Sequence, residues 1–347
     1  MNNAKTKDQM EEKNVALVFR SKARKEYSIE TLFACLENYL CREIQTEKYY
    51  LPCGHYNRPD LLVKNYLFAR KIKSDLYHIT GEVNFIAPAF PKDKTIITIH
   101  DFVDLETMHG IKKIIRWIFW YQIPFRHCKY LACISQKTLN ETIRRFPFVR
   151  GKAVYIPNPI DDRYQPIDRA FNSDNPQIMV VGTRENKNLE RIIEAVKDLP
   201  CNLYIIGILT DEQKYLLEKN RVEYENVYRI SDGEMREAYI NSDIVCFPST
   251  YEGFGRPIIE ANAVGRAVLT SDIPPLNEVA GDAAILVDPY SVESIRTGLE
   301  RLIKDKNYRE KLIRAGLENV KQFKAEKVAA MYIDLYNNCR ETGKEKL

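Results

Sequence analysis

Short apolar runs alternate with amphipathic stretches along most of this chain, and that alternation limits its fold more than any other feature. In the second half, residues 177–183 form an apolar run closed by glycine, and residues 189–199 carry apolar positions at 189, 192, 193 and 196. The pattern continues with apolar 202–207, helical 211–219, apolar 227–230, helical 232–240 and apolar 244–247. Strands that read as unbroken apolar runs are buried on both faces, and helices between them supply the crossovers of a parallel sheet. The first half repeats the scheme. It has an apolar run at 15–19, then a helix over 28–41 built on Ile29, Leu32, Phe33, Leu36 and Leu40. A second helix over 61–70 and strands near 75–79, 95–99, 130–135 and 154–156 follow. The fold class is therefore α/β with parallel sheets.

At 347 residues the chain exceeds one ordinary core and fits two domains. Pro157, Pro159 and Pro166 stiffen one stretch between the two runs of alternation and mark a linker. The expected organisation is a disordered polar lead-in over 1–14, a first domain over 15–160, a second over 161–322, and a C-terminal helix and tail over 323–347. The opening residues lack an apolar signal core, which points to a cytoplasmic protein. No apolar run approaches the ~18 to 20 residues that a membrane span needs. Eight cysteines are scattered without metal spacing and read as reduced core residues.

The stretch from Pro248 to Glu260 is the strongest candidate for a site. An apolar strand runs into a turn holding Gly253 and Gly255, and a helix begins near Pro257, with Glu252 and Glu260 flanking the turn. At the carboxyl edge of a parallel sheet, the amides of such a turn and the helix dipole favour an anion. The carboxylates suit the hydroxyls of a sugar or ribose. A glycine in a βα turn and an acid near a helix start also occur for local reasons alone. The turn after the 177–183 strand carries Arg184 and Lys187, placed before a helix rather than at its end, where they are suited to a diphosphate. His100 and Asp101 stand at the tip of the 95–99 strand, pointing to a ligand crevice or else bonded to backbone. Ser135 is placed to cap the helix that starts near Gln136. The loop 20–27 has no glycine, so its Lys22, Arg24 and Lys25 face either a substrate or solvent.

Charge is uneven. Between residues 107 and 152 ten lysines and arginines meet one acid, Glu141, although the whole chain is only +4. A basic surface implies a polyanionic partner. Within it, residues 111–125 combine isoleucines, both tryptophans and Lys112, Lys113 and Arg116. That mixture belongs to a helix lying on an anionic membrane surface, over 111–129, or to a core helix with solvated basic ends. The acid-rich second domain argues against nucleic acid.

The ordered set of motifs resembles glycosyltransferase family 4, retaining nucleotide-sugar transferases of the GT-B fold. The likeness rests on Pro248 to Glu260, on Val181-Gly182-Thr183 followed by Lys187-Asn188-Leu189, and on the His100-Asp101 strand end. It extends to the Ser135 turn, Ile156-Pro157-Asn158-Pro159, and Gly281 to Pro289. It implies two Rossmann-like domains facing a central cleft, with the C-terminal helices packing back toward the first domain. It also implies that Arg184 and Lys187 bind the donor diphosphate, that Glu252 binds sugar hydroxyls, and that Glu260 binds the ribose. Gly182, Thr183 and the amides of Gly253, Phe254 and Gly255 would surround the donor, and His100 would reach its sugar from the other domain. Acceptor-side candidates are Lys22, Arg24, Asp101 and Ser135. The chain departs from the family pattern in its missing first glycine loop, in Arg256, where an apolar residue is usual, and in Ala267, where proline is usual.

The expected reaction is transfer of a sugar from a UDP- or GDP-sugar to a glycan or lipid-linked glycan, with retention, in cell-surface polysaccharide synthesis. No metal or other cofactor is expected, because cations and helix-terminal amides stabilise the leaving diphosphate. A nucleotide-sugar hydrolase, phosphorylase or epimerase on the same scaffold, and a non-catalytic nucleotide or glycan binder, are the alternatives. The localisation expected is cytoplasmic, with peripheral contact to the inner face of the membrane.

Overall fold

The computed structural model describes residues 14–24, 28–56 and 58–341. Of the lead-in expected over 1–14, residues 1–13 lie outside the described residues, as does Lys25, and Asn14 belongs instead to the first strand.

Two six-stranded parallel sheets form the frame. The first contains β1 (Asn14–Phe19), β2 (Gln45–Tyr50), β3 (Leu76–Ile79), β4 (Thr95–Ile99), β5 (Tyr130–Cys133) and β6 (Ala153–Tyr155). Their spatial order is β2-β1-β3-β4-β5-β6. The second contains β7 (Gln177–Val181), β8 (Asn202–Ile206), β9 (Glu223–Val227), β10 (Ile244–Phe247), β11 (Ala267–Ser271) and β12 (Ile285–Val287), in the order β12-β11-β10-β7-β8-β9. The second order is that of a dinucleotide-binding sheet, and its direction of winding reverses between β7 and β10. The first reverses between β1 and β3. Crevices open at the carboxyl ends of the strands at these reversals, so topology alone predicts where ligand meets each domain.

Burial follows the sequence pattern. The central strands β3, β4, β10 and β11 are buried throughout. The edge strands differ. β2 is Gln-Thr-Glu-Lys-Tyr-Tyr, a segment that periodicity does not mark as a strand, and β9 begins four residues before the apolar run expected at 227–230. An edge strand pairs on one side only and tolerates polar residues that a central strand would not.

The chain crosses to the second domain through residues 157–166 and returns at Phe323, whose carbonyl accepts from the Ile160 amide at 2.8 Å. The last helix, Ala325–Glu341, then packs back on the first domain. Its Tyr332 and Tyr336 are buried against Phe33 and His78. His78 is fully buried, with Nδ1 2.7 Å from the Tyr336 hydroxyl and Nε2 2.8 Å from Thr98 Oγ1. No disulfide joins any two of the eight cysteines.

Candidate active site

The two carboxyl edges face each other across a cavity of about 1180 Å³. Arg184, Lys187, Glu252 and Gly253 line it from the second domain, and His100 and Asp101 from the first. Residues separated by more than 80 positions thus meet in one space, at the winding reversal of the second sheet.

The donor-side wall is two loops stitched together. After β7 the chain passes Gly182 at φ +90°, Arg184, a 3₁₀ turn Glu185–Lys187, and Asn188 at φ +64°. A Cβ on Gly182 would stand 2.9 Å from Lys187 Cγ, so glycine is what lets the lysine fold back over the strand end. Lys187 Nζ lies 2.5 Å from Glu252 Oε1. Glu252 Oε1 takes the contacts from Lys187 and Asn186, and Oε2 accepts no hydrogen bond among the described residues. Arg184 is exposed and has no ion-pair partner among the described residues. Asn186 and Asn188 hold the loops in register. Asn186 Nδ2 donates to the Tyr251 carbonyl at 2.9 Å, and buried Asn188 Nδ2 donates to the carbonyls of Pro248 and Pro289 at 2.9 and 2.6 Å. Sequence reasoning gave neither asparagine a role, although Asn188 lies inside one of the quoted motifs.

On the opposite wall His100 Nε2 donates to the Thr80 carbonyl at 2.8 Å. A carbonyl can only accept, so Nε2 carries the proton and Nδ1 of the neutral ring is an acceptor. Burial pushes the imidazole below its ordinary value, which keeps it neutral. Gly81, at φ +142°, makes room: its Cβ would lie 2.5 Å from His100 Cδ2. Asp101 is exposed to the cavity; its Oδ1 accepts from the Val103 amide at 3.0 Å, and desolvation by the surrounding walls raises its carboxyl above the ordinary value. Glu82 and Asp104 also line this side, and they pair with Arg20 and Arg116 respectively.

The domains touch directly beside the site. Lys137, from the helix Gln136–Arg145, sends Nζ to the Glu252 carbonyl at 3.0 Å, and its amide donates to Glu278 Oε2 at 3.1 Å. Gly253 lies so close to the first domain that a Cβ there would be 2.5 Å from the His100 carbonyl oxygen. Lys137 counted only as bulk charge in the sequence, because nothing local shows which helix face meets the other domain.

Other candidates sit elsewhere. Glu260 is 6% exposed and absent from the cavity wall. Its Oε1 accepts from Arg256 at 2.8 Å and its Oε2 from the Tyr239 hydroxyl at 2.7 Å. Arg256 lies four residues before Glu260 on one helix, a spacing that brings the two side chains together. Phe254 is buried edge-on against Phe323, and Gly255, at φ +108°, packs on Leu276. Thr183 Oγ1 donates to the Ile208 carbonyl at 2.6 Å. Ser135 is 1% exposed and caps its helix by accepting from the Thr138 amide at 3.0 Å, so its oxygen is engaged there. Lys22 stacks 4.2 Å over the Tyr50 ring and does not line the cavity, although the next residue, Ala23, does. Arg24 closes the same short turn, and its side chain lies outside the described residues.

The basic segment is partly consumed by the fold. Arg116, Arg145 and Lys152 pair with Asp104, with Glu141 and Glu106, and with the Phe125 and Cys128 carbonyls. The helical run from Gly110 to Arg126 contains a π-helical turn at Trp117–Gln122. Trp120 and Tyr121, grouped by sequence with the interfacial aromatics, are instead core residues, and Trp120 Nε1 donates to the Glu82 carbonyl at 3.0 Å. The exposed apolar face is Ile111, Ile114, Ile115, Phe119 and Ile123, with Trp117 at its margin. No helix among the described residues is long and apolar enough to cross a membrane.

Comparison with known proteins agrees with this geometry. Residues 14–164 match the family described as Glycosyltransferase Family 4, and residues 162–319 match Glycosyl transferases group 1. Among curated proteins the chain is 28% identical over 235 residues to O-antigen chain mannosyltransferase B of Escherichia coli, covering 60% of each chain. It is 23% identical over 281 residues to the serotype-specific mannosyltransferase WbdA of the same species, covering 73% of this chain and 34% of that protein. The matched region thus spans 60% or less of these two relatives. Among solved structures, sucrose-phosphate synthase of Thermosynechococcus elongatus superposes with a TM-score of 0.74 at 17% identity, over 94% of this chain and 98% of that one. Anabaena HepE, solved with UDP and glucose, gives 0.74 at 13% identity over 94% and 100%. With its two halves matching the two family descriptions in order across residues 14–319 and its sheets arranged as in GT-B structures, the chain belongs to the family 4, group 1 glycosyltransferases.

Proposed function

We propose that this protein transfers a sugar from a nucleotide diphosphate donor to a hydroxyl of a glycan acceptor, with retention, in bacterial surface-polysaccharide synthesis. The observation that carries this reading is the division of one cavity into two chemically distinct walls. Arg184 and Lys187 stand on one, where a diphosphate's charge must be met, and His100 and Asp101 stand on the other.

Breaking the glycosyl–phosphate bond places charge on the departing diphosphate. Lys187, held in place by Glu252, stabilises that charge with little reorganisation as it develops, and Arg184 adds a second cation beside it. Lys187 also orients Glu252, whose Oε2 accepts a hydroxyl of the donor sugar. Neutral His100 presents an acceptor nitrogen to the same sugar. Attack occurs on the face the diphosphate leaves, and the acceptor hydroxyl's proton passes to the leaving phosphate, so no protein nucleophile is required. The reaction in this reading needs no metal. Glu260 binds the ribose only after releasing Arg256 or Tyr239, so its role is coupled to movement of Arg256. The acceptor half carries Glu82, Asp101 and Asp104, two of them in arginine pairs, which together offer donors and acceptors to sugar hydroxyls. That supports a neutral sugar at the accepting end. Mannose is the first donor sugar to test, because O-antigen chain mannosyltransferase B and WbdA are named for it.

The exposed face of Ile111, Ile115 and Phe119, beside Lys112 and Lys113, supports docking on an anionic membrane surface, and so a lipid-linked acceptor. The deciding experiment combines UDP- and GDP-linked hexoses with a mannose-terminated oligosaccharide and determines the anomeric configuration of the product. Turnover of the donor without an acceptor would replace the reading with that of a hydrolase or epimerase.

A further inference from the structure

The second domain carries another cavity, of about 470 Å³, at the edge of the sheet opposite the cleft. Its walls are the loop 169–173, the residues leading into β10 and β11, and the start of the helix Lys306–Asn319. Four cations line it, Arg169, Arg266, Lys306 and Arg309, against two acids, Asp243 and Glu310.

The cations are poorly balanced. Asp243 is buried, and its two oxygens already accept the amides of Asn172 and Gln177 at 3.2 and 2.8 Å, with Arg169 Nε 3.5 Å away. Lys306 lies 3.7 Å from Glu310. Arg266 and Arg309 are 5% and 7% exposed and form no ion pair among the described residues. Arg266 donates only to carbonyls, those of Ile167, Val264, Gly265 and Ile240, and its Nε has no partner. Arg309 donates to the Leu302 and Ile303 carbonyls and stacks 3.5 Å over the Phe171 ring. Carbonyl dipoles hold these guanidinium groups in place beside an open cavity, and their charge is offset only without direct pairing, by Asp243 and Asp168 for Arg266 and by Glu310, Asp243 and Asp305 for Arg309. A buried charge without a directly paired counter-ion is costly, and an anion in the cavity would relieve it. The terminal nitrogens of Arg169 form no hydrogen bond among the described residues and remain available as donors.

We propose that this cavity binds a phosphate dianion, free or as a small soluble phosphate monoester, with Arg169 and Lys306 as direct contacts over a floor charged by Arg266 and Arg309. The site is separate from the donor cleft. Nothing in the glycosyl-transfer reading requires it, and it stands whether or not that reading holds.

The test is equilibrium dialysis of the full chain against labelled inorganic phosphate at ionic strength fixed with sodium chloride. The chain carries Arg184→Ala and Lys187→Ala, so that the cleft cannot contribute. Saturable binding near one phosphate per chain is expected. Adding Arg169→Ala and Lys306→Ala, both at positions with solvent access, should weaken it at least about tenfold, as loss of charge-assisted hydrogen bonds does. No saturable binding in the first protein, or unchanged affinity in the second, overturns the proposal.

Discussion

Gly253→Ala tests whether the cleft works only in the closed geometry described above. The added methyl would lie 2.5 Å from the His100 carbonyl oxygen and 3.3 Å from Asp101 Cβ. Backbone cannot swing aside as a side chain can, and ordinary contact begins near 3.4 Å, so loop or domain must retreat by roughly 0.9 Å. A displacement of that order between groups that must act together costs ~100-fold in rate, equivalent to about 2.7 kcal/mol of barrier. The contact lies between domains, so opening the cleft relieves it without disturbing either core, and thermal stability should barely change. Steady-state kcat/KM with the nucleotide sugar and a melting curve are the two readouts. Gly255→Ala is the contrast: at φ +108° its Cβ would strike Leu276 Cδ2 at 2.7 Å within one domain. It should therefore lower stability itself, by about 1 to 3 kcal/mol. Gly253→Ala with kcat/KM within twofold of the parent, or with a melting temperature as depressed as that of Gly255→Ala, would refute the reasoning.

Four further outcomes are expected. Lys187→Ala removes a cation from the leaving group and releases Glu252, and should cost about 2 to 4 kcal/mol in kcat/KM; an unchanged value would remove Lys187 from the site. His78 is buried neutral, with its value pushed down to about 3, so the unfolded chain binds the extra proton as pH falls through 6.5. Its contribution is intact above 6.5, and about 2 kcal/mol should be lost at pH 5 in urea denaturation, an increment missing from His78→Gln. Ile111→Ser, Ile115→Ser and Phe119→Ser together should abolish flotation with anionic vesicles while leaving turnover of a soluble acceptor unchanged, and an unmodified protein that never floats disproves the docking surface. EDTA should leave transfer intact, whereas loss of activity restored by Mn²⁺ or Mg²⁺ would establish a metal requirement.

Much of the second domain was legible because its information is local. The apolar runs of β7, β8, β10 and β11 are buried on both faces and read directly as strands, and the turns that follow them hold Arg184, Lys187 and Glu252 at predictable places. The edge strands β2 and β9 were missed or displaced because one unpaired side relaxes the demand for apolar residues. The segment 111–125 was read as one mixed stretch because nothing local says which of its aromatics meet the core, and the fold buries Trp120 while leaving Ile111, Ile115 and Phe119 exposed. Residue chemistry read Ser135 as a helix cap while the resemblance placed it among the acceptor-side candidates, and the bond from the Thr138 amide makes it the cap.

The sequence alone determined the class of fold, the order of most of its elements, and the residue types gathered at the carboxyl edges, since each follows from periodicity and turn chemistry within a few residues. Tertiary structure decided which of those residues share a space. It brought His100 and Asp101 to Lys187 and Glu252, set Lys137 on the Glu252 carbonyl, and turned Glu260 inward to Arg256 and Tyr239. Such pairings depend on how two separately wound domains are oriented, and no local pattern in either one records the position of the other.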